Sequence, residues 1–512
     1  MKKFFYLLVV LTIQSPLFSQ TKDIPEKRSQ KGFAKIDFLS IEMPFTTIPN
    51  EQNLGFTGIH YNLLLNKSFY TGIGIYGAII GSRGGFFTLG VNAGIKKHFS
   101  KKFYIDTGFH FGGGGGAGAP DGGGAFILPH FNVGYQFKKI SLNSGWSYIN
   151  FFDGGNIKGH QINIGVEIPL DYVHADYKVT ENKYELLDLE KTDWYVNSKR
   201  TSLMLHFNNL MIKGEDKNIN VQKFNGATIK LAGFELANYF SKNWFTFLKV
   251  DGAYDGIRAG YMDVFLGAGH HFKMNKKRTN ILVKFGMGAG GGGGVDTKGG
   301  FLLYPDISIE QQLYNDVFLS LNKGFVTTPD AHFYTSSFGV GVKYYIERNG
   351  VKTDNSTFTL GQFKGIDVIV KQDLYFNARR DKLPNENLHQ ISLQLNLYVN
   401  NNIFIAGQTS FANFGNAGAY AEGIIGLGIK TKPLFHRSTT LFSQLLTGAA
   451  GGGDISTGQG LIIKPSLGVD CKISKTLRLR TSGGLVSAVG GQLNSPFVNL
   501  GVKYNISLLK LK

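Results

Sequence analysis

Three runs of glycine constrain this chain more than any other feature: Gly112–Gly116, Gly290–Gly294 and Gly451–Gly453. Each is followed by a hairpin carrying Gly-x4-Pro in an apolar context. The three copies read Gly124-Ala-Phe-Ile-Leu-Pro129, Gly300-Phe-Leu-Leu-Tyr-Pro305 and Gly460-Leu-Ile-Ile-Lys-Pro465. Such self-similarity marks a tandem array of one unit. A phosphate-cradling loop would need Gly-x4-Gly-Lys-Ser/Thr running into a helix N-terminus, and no run has either. A glycine strand end instead lets a sheet coil strongly and lets backbones approach closely. The prolines cannot donate to a ladder, so a bulge or a strand entry is expected at each.

Around the glycines the chain alternates with period two. Phe87, Leu89, Val91, Ala93 and Ile95 share one face, against Thr88, Gly90, Asn92 and Gly94 on the other. Ile162, Ile164, Val166, Ile168 and Leu170 repeat the pattern against Gln161, Asn163, Gly165 and Glu167. A soluble sandwich also alternates. Here, however, the second face is mostly small and polar while the apolar face is uniformly large, which describes a membrane barrel with a wet interior. Short basic turns alternate with longer glycine-rich connections, as periplasmic turns and outer loops do in such barrels. The expected class is all-β, a transmembrane antiparallel β-barrel.

Eight strands per unit result, over residues 33–170, 202–346 and 364–512, with spacers at 171–201 and 347–363. Three eight-stranded repeats can close as three tandem small barrels or join as one 24-stranded barrel. The charged spacer Glu181-Asn-Lys-Tyr-Glu-Leu-Leu-Asp-Leu-Glu-Lys191 and the repeated inward glycines favour three narrow barrels, whose interiors have room only for side chains.

Residues 1–19 read as a secretory signal peptide: Lys2 and Lys3, an apolar core from Phe4 to Ile13, then Pro16-Leu-Phe-Ser19. One cysteine, Cys471, excludes an intrachain disulfide framework and a cysteine zinc site. The formal charge of +18 lies in short turns rather than along a helical face, so nucleic acid is not an expected partner. Outer-membrane lipids are, since those turns can meet anionic head groups.

The charged residues that point inward are the candidate site. Asp106, Lys284 and Gln444 are read as matching positions on the fifth strands, and Glu167, Lys343 and Lys503 on the eighth. A charge inside a narrow barrel must be paired or hydrated, so these residues form a candidate lumen polar network. The sharper reading is an ion or proton path. The glycine and proline hairpins (Gly112, Gly116, Gly124, Pro129; Gly290, Gly294, Gly300, Pro305; Gly451, Gly453, Gly460, Pro465) are read as structural. No nucleophile–histidine pair has catalytic spacing, so no catalytic, cofactor or metal site is expected.

With its signal peptide, its Leu17-Phe-Ser-Gln20 context and its glycine-rich alternating strands, the chain resembles outer-membrane β-barrel proteins of Bacteroidota type, in particular multi-barrel ones. The resemblance implies export to the outer membrane of a Gram-negative bacterium and insertion by the barrel-assembly machinery. Tyr504 stands nearest the place of the terminal aromatic that such barrels present. The expected role is non-enzymatic, structural or surface-interacting, in three filled barrels. The alternatives are a transport or export pore through one wide 24-stranded barrel, and a membrane-embedded lipid-modifying enzyme.

Overall fold

The computed structural model describes residues 24–43, 51–213, 226–257, 259–353, 358–434 and 438–512. The expected signal peptide lies outside the described residues. Eight antiparallel strands come first: β1 (Arg28–Ile41), β2 (Leu54–Leu64), β3 (Phe69–Ile80), β4 (Phe87–His98), β5 (Phe103–Gly115), β6 (Phe126–Gln136), β7 (Ser141–Phe151) and β8 (Lys158–His174). They close into a barrel, because β8 pairs back onto β1 from Arg28↔His174 to Leu39↔Asn163.

A short strand, β9 (Lys183–Glu185), and a one-turn helix, α1 (Leu186–Leu189), lie in the charged spacer. Then follow β10 (Lys199–Ile212), β11 (Thr228–Tyr239), β12 (Trp244–Asp255), β13 (Met262–Met274), β14 (Thr279–Gly291), β15 (Phe301–Tyr314), β16 (Val317–Thr327) and β17 (Tyr334–Arg348). β10 and β17 pair along Lys199↔Arg348 to Ile212↔Thr335 and close a second barrel. The last strands are β18 (Leu360–Ala378), β19 (Glu386–Tyr398), β20 (Ile403–Phe414), β21 (Ala421–Lys430), β22 (Thr439–Gly451), β23 (Leu461–Lys472), β24 (Leu477–Ala488) and β25 (Asn494–Leu511).

These last eight strands, with β9 at the edge of β18, are attached to the second barrel in one 17-stranded sheet. The junction is a single pairing, Arg348↔Lys510, between β17 and β25. Within the attached strands β18 also returns to β25, from Gly361↔Leu511 to Tyr375↔Phe497. Three equal, separate eight-stranded barrels in tandem are therefore not the architecture: the first barrel is a sheet of its own, and the remainder is continuous. One 24-stranded barrel is excluded as well, since β8 is satisfied by β1. Both expectations failed for one reason. Which backbone edge accepts which partner leaves no period in the side chains. The spacer, read only as a separator, supplies a strand and packs Tyr184, Leu189 and Trp194 into a local core with Phe363 of β18 and Leu509 and Leu511 of β25.

The packing is inside-out relative to a soluble protein. Ile162 is 74% exposed and Leu467 70%, while Asp37, Glu235, Lys343 and Asp367 are buried inside. Large side chains on the outer face and paired charges within suit a hydrocarbon surround. Above the charges, toward the glycine ends, aromatic clusters fill each lumen. They include Phe56, Tyr76, Phe86, Phe126 and Phe151 in the first barrel, and Phe247, Tyr261, Phe265 and Tyr304 in the second. Tyr375, Tyr420 and Phe497 fill the space enclosed by the attached strands.

The prolines interrupt their ladders without a bulge. Pairing of β6 with β7 skips from Ile127↔Asn150 to His130↔Ser147 in unchanged register, and Leu303↔Thr327 to Asp306↔Gly324 does the same. So does Ile463↔Ser487 to Ser466↔Gly484. A missing N–H removes the local bonds, but the flanking strand is long enough to hold register.

The glycine ends hold the strand groups together. β3 packs on β14, β12 on β22, and β20 on β5, a cyclic arrangement in which each third strand meets a neighbour's fifth. A Cβ on Gly291 would lie 2.6 Å from the Gly84 carbonyl carbon, and one on Gly451 2.6 Å from the Gly260 nitrogen. One on Gly124 would lie 2.6 Å from the Ala412 oxygen. Backbone bonds cross two of these seams: Gly84 N–H donates to the Lys298 carbonyl at 2.7 Å, and Gly418 N–H to that of Gly122 at 3.1 Å. Below them, Gly77 faces the Ala289 methyl and Gly252 the Ala449 methyl. At the third seam the sizes are reversed: Gly113 faces the Ala412–Asn413 backbone, beside the buried Phe411.

Gly113→Val, with Asn413 Cβ only 2.7 Å from its new Cβ, is expected to lower stability by about 1–3 kcal/mol, the usual cost of overpacking. Gly423→Ala meets nothing within 4 Å and is expected to leave the midpoint unchanged. Urea unfolding in detergent micelles checks both.

Candidate functional site

Alternation places every second side chain of a strand in a lumen, and the strands' buried charges lie there. On β1, Lys35 and Asp37 are two residues apart and both point inward. Lys35 Nζ is 3.3 Å from Asp37 Oδ2, and His60 Nε2 from β2 is 3.1 Å from Oδ1. The Tyr76 hydroxyl donates to the same carboxylate at 3.0 Å. Lower in the barrel, Tyr70 donates to Asp106 at 2.8 Å, and His130 lies 3.3 Å from it. Glu167 accepts from Tyr104 at 3.0 Å and Asn143 at 2.9 Å, and pairs with Lys96. Lys96 is thus a lumen residue, although the sequence reads as if it belonged to the basic turn.

The second barrel is held by lysine bridges. Lys284 is 2.7 Å from Glu235 and 3.0 Å from Asp306. Lys343 is 3.3 Å from Glu235 and 2.9 Å from Glu310, which also accepts from Tyr345 at 2.6 Å. Among the attached strands, Lys503 joins Asp367 at 2.7 Å and Asp470 at 2.9 Å, and Lys464 joins Glu422 at 2.9 Å. Gln444 accepts from Gln394 at 3.0 Å in a neutral stretch of the same interior.

All six residues singled out in the sequence are therefore buried. Their register differs in one respect. The proline pairings Phe109↔Pro129, Phe285↔Pro305 and Leu445↔Pro465 provide a common reference. Against it Lys284 and Gln444 correspond, while Asp106 sits two residues further from the glycine end and Gly108 takes the matching place. The partners Asp37, Glu235, Asp306, Glu310, Asp367 and Glu422 were not singled out, because only strand register brings them to the lysines. The inward spacing of Lys35 and Asp37 was the available signal.

The first lumen keeps a small polar cavity, lined among others by Lys35, Asp37, His60, Asn92, His110 and His130. The His60 and His110 rings stand 5.4 Å apart, and His110 Nδ1 contacts Asn92 at 2.5 Å. His110 Nε2 and Asn163 Oδ1 are buried without a protein partner. Among the described residues no group of three or more His, Cys, Asp or Glu side chains could hold a metal ion.

No family model and no curated protein matches the chain. Solved structures with some likeness include OccK11 (OpdR) of Pseudomonas aeruginosa, at 10% identity over 94% of this chain and 96% of that one, with a TM-score of 0.23. The ferric enterobactin receptor PfeA, crystallised with BCV-L6, gives 8% identity over 93% and 81%, with a TM-score of 0.28. The siderophore receptor PiuA from Acinetobacter baumannii gives the same four values.

Outside the strands, one carboxyl is placed to respond to pH. Asp121, in the hairpin between β5 and β6, is buried and accepts from the Gly116 N–H at 2.8 Å beside the seam at Gly418. Burial raises its pKa to about 7 against the pull of the backbone bonds and of Arg83. Arg83 itself holds Glu51 at 2.6 Å and the Ala117 and Gly118 carbonyls at 2.9 and 2.7 Å. An acid whose folded pKa lies above its unfolded value of about 3.9 binds more protons when folded. Stability from this group is full below about pH 4, falls between about pH 4 and 7, and stays lowered above. Asp121→Asn is therefore expected to raise the urea midpoint at pH 8 and to match the parent at pH 4.

The bridges make a second expectation. Glu235→Gln leaves Lys284 and Lys343 short of a shared carboxylate and is expected to cost about 3–5 kcal/mol, the range for breaking a buried pair. Gln444→Met, in the neutral stretch, is expected to cost about 1 kcal/mol. The same urea titration compares them.

Proposed function

We propose that this chain is an integral β-barrel protein of the outer membrane of a Gram-negative bacterium, with a non-enzymatic structural or surface-interaction role. The observation that carries this reading is the state of the lumens: buried lysine–carboxylate networks lie beneath aromatic clusters. Such an interior leaves no wide aqueous path, since eight strands enclose only enough room for side chains. The apolar exterior supports residence in lipid, and insertion then calls for the barrel-assembly machinery. The glycine hairpins take the outer side and the short basic turns the periplasmic side, as loop lengths run in such barrels.

A second reading is restricted transport through the first barrel. It is favoured by the cavity between His60, His110 and His130 and by the partnerless His110 Nε2. A proton or small ion, rather than a bulky solute, is what that space suits. A wide export pore is not compatible with a first barrel closed on itself.

Planar-bilayer recording on the full chain separates these readings. Silence at all voltages is expected for the structural role. Large stable steps overturn it, and small pH-dependent currents abolished by His110→Leu establish the second reading in its place.

A further inference from the structure

The third strand of each strand group meets one neighbour and the fifth strand meets the other. The intervening fourth strands, β4, β13 and β21, therefore face a common axis. At the glycine end that axis is shut: Phe87, Leu89, Val264, Ala289 and Phe411 form one buried cluster, with Met262 and Ala421 packed against it.

Toward the other end the groups splay apart. Leu89 and Val264 are buried, Val91, Leu266 and Ile425 are half-buried, and Ile95, Ala268 and Leu427 are exposed, Leu427 to 61%. A Cβ on Gly407 or Gly423, on the outward faces of β20 and β21, would meet nothing within 4 Å. The result is an apolar recess, closed at the outer end and open toward the basic turns.

The turns at its mouth are the ones that follow the fourth strands. Lys97 at the end of β4, and Lys276, Lys277 and Lys432 in these turns, are exposed, and among the described residues none of the four makes an ion pair with a carboxylate, whereas the neighbouring Lys96 takes Glu167. In the lumens, by contrast, Lys284, Lys343 and Lys503 are each shared between two acids. An apolar recess that opens toward turns carrying exposed lysines matches a lipid with an anionic head. A water-filled recess would leave its apolar walls wet, and a protein partner would have to bring its own buried charges.

We propose that this axial recess is a binding site for an anionic phospholipid of the periplasmic leaflet, its acyl chains between β4, β13 and β21 and its phosphate among Lys97, Lys277 and Lys432. The site rests on the membrane-spanning reading above. It adds a ligand class that the lumens do not supply, and it makes the lipid part of the fill between the strand groups.

The test uses the full chain in phosphatidylcholine nanodiscs containing a minor share of phosphatidylglycerol. The particles are exchanged into mild detergent, and retained lipid is read by native mass spectrometry. Phosphatidylglycerol is expected to be enriched over phosphatidylcholine about tenfold or more, given a contribution from each of several lysines near the phosphate. Lys97→Glu with Lys277→Glu and Lys432→Glu is expected to bring enrichment to parity. Gly407→Trp with Gly423→Trp is expected to remove retention of both lipids. Lys138→Glu with Lys139→Glu, on a turn away from the axis, is expected to keep the parental enrichment.

No enrichment in the parent, or undiminished enrichment in the triple-charge variant, overturns the site. A co-purifying polypeptide in place of lipid overturns it too. Failure of the parent chain to enter nanodiscs instead overturns the membrane-spanning reading, so the two failures are distinguishable.

Discussion

Close backbone approach at the glycine ends is the interaction on which the rest of this structure depends. Strand walls with large outward side chains cannot come nearer than those side chains allow. At Gly85 against Gly291, at Gly260 against Gly451 and at Gly124 against Ala412 there are none on one or both sides, so main chains meet directly. That contact brings the third and fifth strands of different groups together, buries Phe87, Leu89, Val264 and Phe411, and turns the fourth strands toward one axis. Because the contact is confined to one end, the axis is tight there and open at the other.

The lumens solve a separate problem. A wall of eight strands has an interior that must be filled, and filling it with charge is stable only when every charge has a counterpart. The solutions differ from one interior to the next. The first uses histidines and asparagines around Asp37 and Asp106, and retains a cavity. The second uses two lysines shared among Glu235, Asp306 and Glu310. The attached strands add a neutral stretch at Gln394 and Gln444. A shared task does not require one charged group at one position, and the interiors read as fill.

Ladder pairing between the second barrel and β18–β25 rests on very little backbone. One residue pair, Arg348 with Lys510, joins β17 to β25, and Lys510 Nζ lies 3.6 Å from Asp316 in the turn after β15. The spacer reinforces the junction, with β9 pairing onto β18 and Trp194 packing on Phe363 at 5.2 Å. The Trp194 indole also donates to the Pro25 carbonyl at 2.8 Å, tying the start of the first barrel to the same place.

Much of this was legible in the residues. Period-two alternation with large side chains on one face and small polar ones on the other determines the all-β class and the inside-out packing, because the pleat sends successive side chains to opposite faces. The same alternation marked Asp106, Glu167, Lys284, Lys343, Gln444 and Lys503 as inward-facing, but not the acids that meet the lysines. Three things were decided only in three dimensions. Which strand edges pair is a backbone matter with no side-chain period, so the division into one barrel and one 17-stranded sheet could not be read from the triplicated glycines. Which acid meets which lysine depends on register across strands distant in sequence, as Lys343 with Glu235 shows. The glycine runs allowed close approach as a sequence feature, but their partner became known only when Gly84 met Gly291 across the seam.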